Sequence, residues 1–170
     1  MSGDPALDRE AMLAFLVREF PHAGFGDGRL VLDRYARGSC RVVLPLDARN
    51  IRPGPSVSGP AIMGLGDVAA WVALLSVIGQ VPLAVTSNLT ATFLRPAGEA
   101  DLACDCTVLR AGRRLAVMLA DVSRIADARA VAHMTITYAI PDGTPRSSGA
   151  QSGAQSGAQS GAQSGAQSGA

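Results

Sequence analysis

Residues 60–78 (PAIMGLGDVAAWVALLSVI) constrain this chain more than any other segment: they are apolar on every face, with a single charge at Asp67. A helix without a polar side cannot lie on a water-facing surface. It has to be enclosed by protein or by lipid. The length would suffice for a membrane crossing. Against that, a carboxylate sits near the middle, glycines interrupt the run and no basic flanks follow. The segment is therefore read as a buried core helix. Pro60 suits a first helical position, where its missing N–H costs nothing, with Ser58 or Gly59 as the cap. Gly79 and Pro82 supply the stop.

The rest of the chain has to cover that helix. Residues 5–20 carry Leu7, Met12, Leu13, Leu16, Val17 and Phe20 at helical spacing, and Pro21 ends the pattern. Strands are expected over residues 29–35 and 39–46, followed by a Pro- and Gly-containing loop at 47–57. Four more are expected over 84–94, 100–109, 113–125 and 129–140, joined by breaks short enough for hairpins. Strands segregated on either side of one buried helix imply an α+β domain, with an antiparallel sheet wrapped on that helix. One domain over residues 1–143 accounts for this. Residues 144–170 end in a four-residue SGAQ repeat without charge or large apolar side chains, for which a flexible coil is expected.

Composition narrows the function. With 48% apolar residues a sizeable core is available. The 15 basic and 14 acidic side chains leave a formal charge of +1, far from the basic excess that a nucleic-acid surface needs. Cys40, Cys104 and Cys106 lack C-x-x-C spacing, and residues 104 and 106 share one face of a strand. They read as small apolar filler in a reducing compartment. With only His22 and His133 present, no metal site is expected, and His133 reads as structural. The acidic N-terminus shows no basic-then-apolar leader, so a cytoplasmic protein without membrane attachment is expected.

Asp67 is the residue that needs explaining. A carboxylate among Ile62, Met63, Leu65, Val68, Trp71 and Leu74 is costly unless something pairs with it. It is either a structural partner, for example of an arginine on another element, or a functional carboxylate.

The flanking motifs bear on that choice. The stretch from Ser58 to Asp67, SGPAIMGLGD, resembles the H-G-G-x-x-x-x-L-x-D element of the PaaI-like hotdog acyl-CoA thioesterases. Upstream, RPGPSV from Arg52 is similar to the family's N-P-x-G-x-x lead-in. Downstream, residues 85–96 end in F-L-R-P as the family's strand does, and GRRLAV from Gly112 resembles its hairpin turn. The resemblance spans residues 29–140 in order. It implies a hotdog fold, a homodimer or homotetramer, and hydrolysis of a small or medium acyl-CoA without any cofactor beyond the substrate's own coenzyme A. It also implies that Asp67 is the nucleophile or general base, and that the Gly59 N–H at the helix N-terminus is the oxyanion donor. Such an N-terminus presents free N–H groups and partial positive charge.

Three positions depart from the family: Ser58 replaces its His, Pro60 its second Gly, and Arg52 its Asn. Ser58 and Arg52 remain candidate substrate contacts. Asn88 and Thr90 are candidates for the pocket wall, and Arg95, Arg113 and Arg114 for the phosphates of coenzyme A, which guanidinium groups suit. Trp71 and Phe93 read as core or as acyl-pocket wall. A non-catalytic module that binds or senses acyl-CoA is the alternative function. A dehydratase would need a histidine where Ser58 stands.

Overall fold

The computed structural model describes residues 3–143; the SGAQ tail, residues 144–170, lies outside the described residues. Two α-helices and eight strands follow in the order α1 (Arg9–Glu19), β1 (Val31–Ala36), β2 (Ser39–Leu44), β3 (Ile51–Arg52), β4 (Ser56–Val57), α2 (Gly59–Ile78), β5 (Val85–Phe93), β6 (Leu102–Ala111), β7 (Leu115–Arg124) and β8 (Ala130–Ala139). Six strands form one antiparallel sheet in the order β1-β2-β6-β7-β8-β5. The expected loop at 47–57 holds a 3-10 turn at Ala48–Asn50 and the small β3–β4 ribbon.

The core lies where the strands' two-residue period meets α2. Val42 on β2, Leu102 and Cys104 on β6, Met118 and Ala120 on β7, and Met134 and Ile136 on β8 are fully buried. On α2, Ala69, Ala70, Val72, Ala73, Leu74 and Leu75 are fully buried too. Although α2 is long and apolar enough to cross a membrane, 72% of that stretch is enclosed by protein. Gly66 permits the close approach, because a Cβ there would collide with the Met134 thioether.

Caps set the helix ends. Ser58 Oγ accepts from Ala61 N at 3.4 Å, and Gly79, at φ +86°, donates its N–H to Leu75 O. Helix α1 starts at Arg9 rather than Pro5, because Asp8 caps it through Ala11 N at 2.8 Å. It buries Met12, Phe15 and Leu16 while leaving Val17 and Phe20 exposed. The β1–β2 hairpin is pinned to α2 by Ser76, whose hydroxyl accepts from Gly38 N at 2.7 Å and donates to Ala73 O at 2.6 Å.

Candidate active site

Asp67 sits half-buried on α2, where strands β5 and β8 and the end of α1 approach the helix. The Thr86 hydroxyl, from β5, donates to its Oδ1 at 2.6 Å. The Tyr138 hydroxyl, from β8, lies 3.0 Å from both Oδ1 and the Asp67 carbonyl oxygen. Thr86 and Tyr138 stand opposite one another across β5 and β8, so one row of the sheet delivers both hydroxyls. Burial, followed by the nearby Asp67 charge, pushes the Tyr138 phenol above its ordinary pKa against the lowering effect of the Thr86 bond. Tyr138 therefore stays protonated and can donate. Among the described residues Oδ2 has no hydrogen-bond partner, and no arginine forms an ion pair with Asp67. The arginine partner allowed by the sequence is not found among the described residues, and Arg52 lies in the cleft at the other end of α2.

Asp67 opens onto a cleft of about 420 Å³ whose walls include Val68, Trp71, Pro82 and Val85, with Glu19 and Phe20 at the end of α1. Phe20 meets the Trp71 ring edge-on at 6.1 Å and Phe15 meets it at 5.8 Å. The cleft is thus apolar and aromatic, with a hydroxyl-held carboxylate on one wall.

Gly59 lies elsewhere. It lines a second cleft of about 520 Å³ with Arg52, Phe93 and Arg95. Its N–H has no acceptor among the described residues, and the Phe93 ring lies 3.4 Å from where a Cβ would stand. Gly59 and Asp67 are eight residues apart, roughly 12 Å along the helix.

The remaining candidates divide between these two ends. Ser58 is occupied as the N-cap. Arg52 is exposed beside Gly59, and Arg95 donates to Ala130 O at 3.0 Å. Arg113 and Arg114 lie on the β6–β7 hairpin, near the Asp67 end of the sheet, because Leu115 pairs with Ala139 and Ala139 with Val85. Arg114 is held by Asp142 in a two-bond fork at 2.8 and 3.0 Å, whereas Arg113 is free among the described residues. Asn88 and Thr90 line neither of these two clefts. A bulge between Thr86 and Asn88 turns them to the outer face, opposite Thr137 and Thr135. Among the described residues no three His, Cys, Asp or Glu side chains cluster as metal ligands would.

Thr86 and Tyr138 were absent from the sequence reading of the site. Tyr138 carried a usable signal: it continues the inward alternation of Met134 and Ile136, and a phenol at such a position needs a partner.

A sheet curved round one apolar helix, with a lone carboxylate on that helix, defines a hotdog thioester hydrolase. The sequence profile of the thioesterase superfamily matches residues 54–138, and the chain belongs to that family. A candidate thioesterase from Silicibacter is 32% identical over 81% of this chain and 94% of its own, with a TM-score of 0.73. The PaaI protein of the E. coli phenylacetic acid degradation operon (22% identity, 75% and 94% coverage, TM-score 0.64) shares the fold. So does zebrafish thioesterase superfamily member 2 (18% identity, 82% and 100% coverage, TM-score 0.67). No curated protein matches the chain.

Proposed function

We propose that this enzyme hydrolyses a small or medium acyl-CoA to the free acid and coenzyme A, using Asp67 of one subunit and the Gly59 N–H of another. The observation that carries the reading is Asp67 itself, a carboxylate held through one oxygen by two hydroxyls, with no cation beside it among the described residues, and opening onto an apolar cleft. The hydroxyls fix the group and leave Oδ2 for the reaction. As base, Oδ2 takes a proton from water while the water oxygen adds to the thioester carbon. The tetrahedral intermediate then collapses, the C–S bond breaks and the thiolate takes up the proton. As nucleophile, Oδ2 adds to the same carbon and displaces the thiolate, and water then cleaves the mixed anhydride.

A single chain cannot complete this site, because its oxyanion donor and its carboxylate open onto different clefts. Strand β5 supports a shared one. It forms an open edge of the sheet, with Val85 56% exposed at one end and Phe93 49% exposed at the other. An uncovered edge is a template for pairing. Antiparallel pairing of two copies of β5 sets the Phe93 and Gly59 end of one against the Val85 and Asp67 end of the other. The same symmetry gathers Arg52 and Arg95 of one subunit near Arg113 and Arg114 of its mate, a basic rim suited to phosphates. The test is thiol release from a panel of acyl-CoAs by wild type and Asp67→Asn. Turnover lost in the variant supports the reading, whereas saturable binding without thiol release by wild type points to an acyl-CoA sensor.

A further inference from the structure

A third cleft, of about 270 Å³, lies along the same side of α2 as the Asp67 cleft, and Val68 is a wall of both. Its lining includes Leu30, Leu44, Ala61 and Leu65. Two arginines stand at its rim, each already paired: Arg29 with Asp27 at 2.8 Å, and Arg49 with Asp47. The Arg49 guanidinium pulls the Asp47 carboxyl down to about 2, so that pair stays charged and mutually satisfied at neutral pH. The rim therefore offers no free charge to an ionic ligand.

Gly64 stands over this cleft in mid-helix, where glycine is unfavourable. Gly66, two residues on, is explained by Met134; Gly64 is not, because a Cβ there would meet nothing within 4 Å. The space above it is open, lies between apolar walls and adjoins the reactive carboxylate.

We propose that this cleft is an acyl-chain subsite: the uncharged alkyl tail of the thioester passes Val68 and lies against Gly64, whose missing side chain sets the longest chain accepted. The inference rests on the thioesterase reading and adds the direction and the limit of the acyl chain. Each methylene removed from water contributes to affinity, and a filled pocket rejects chains that no longer fit.

A Cβ at residue 64 meets nothing within 4 Å, so Gly64→Leu places an apolar side chain in that space. We expect kcat/KM for octanoyl-CoA relative to butyryl-CoA to fall by about tenfold or more, several methylenes being at stake. A change under about twofold in that ratio, or an equal loss on both esters, overturns the proposal. Should Gly64→Leu fail to fold by circular dichroism, Gly64→Val is judged by the same criterion. A wild type that releases thiol from neither ester counts against hydrolysis rather than against the subsite. The subsite is then decided by the octanoyl-to-butyryl affinity ratio read from Trp71 fluorescence, since Trp71 is the sole tryptophan.

Discussion

Asp67 was legible as the one charge in an apolar helix, but what holds it was not. Thr86 and Tyr138 lie 19 and 71 residues away and meet it only through the pairing of β5 with β8. The same pairing explains the misplacement of Asn88 and Thr90. Counting in twos from Thr86 turns both inward, but the bulge resets the count, so that Leu89, Ala91 and Phe93 take the inner face. Among the described residues Asp67 has hydroxyl partners and no cation, so Asp67→Asn should strand no buried charge. The amide oxygen can accept both bonds, and urea unfolding should shift by no more than about 1 kcal/mol while thiol release is lost. A loss of about 3–5 kcal/mol, the usual result of breaking a buried ion pair, would reveal a cation partner after all. Tyr138→Phe tests the hydroxyls. It removes one donor and leaves Thr86, so kcat should fall about tenfold with KM little changed, at a stability cost of about 1 kcal/mol. A rise in KM at constant kcat would show that Tyr138 touches substrate instead of positioning Asp67.

At the scale of elements, α2 was readable from its unbroken apolar run and the six main strands from turn signals and apolar alternation, and element ends moved by a few residues. Asp8 shortened α1, and residues 47–57 hid a two-strand ribbon too short to leave a periodic trace. The two glycines of α2 differ in a way that sequence alone cannot reveal, since only packing separates them. Gly64→Ala should raise stability by about 0.5–1 kcal/mol through helix propensity. Gly66→Ala should lower it by about 1–2 kcal/mol net, because the new methyl displaces Met134. Urea midpoints moving in the same direction would contradict this. The strands' buried thiols give a pH dependence of definite sign. Burial raises Cys106 from its ordinary 9.0 to about 12, and raises Cys40 and Cys104 as well. Above pH 9 the unfolded chain releases protons that the native state keeps. The thiols' contribution is therefore constant below pH 9, and stability falls by ~1.4 kcal/mol per pH unit per thiol above it, for Cys106 until about pH 12. Cys106→Ala should flatten that fall when unfolding is compared at pH 8 and pH 10.

For the whole molecule, the class of fold was legible and the strand order was not, because β2 beside β6 and β5 beside β8 are pairings between distant segments. The placement of β5 at an edge leads to the shared site, which complementation can test. Asp67→Asn and Gly59→Pro, the latter removing the N–H at a position that tolerates proline, should each be inactive alone. Mixed and reassociated, half the dimers are hybrids with one intact site, so about a quarter of wild-type activity should return. No recovery, or a monomer by sedimentation that still turns over, defeats the shared site. Sheet order also has a consequence for how the chain comes to be folded. During synthesis α2 emerges as an apolar rod before β6, β7 and β8 exist to cover it, and β5 emerges three strands ahead of its only partner within the sheet. Closure is non-local and comes late, the situation in which chains fold slowly and aggregate on the way. Strand β8 ends the wait on both counts. It pairs with β5 and brings Tyr138 to Asp67, so a chain stopped before Ala130 would have neither β5 joined to the sheet nor the Tyr138 bond to the carboxylate.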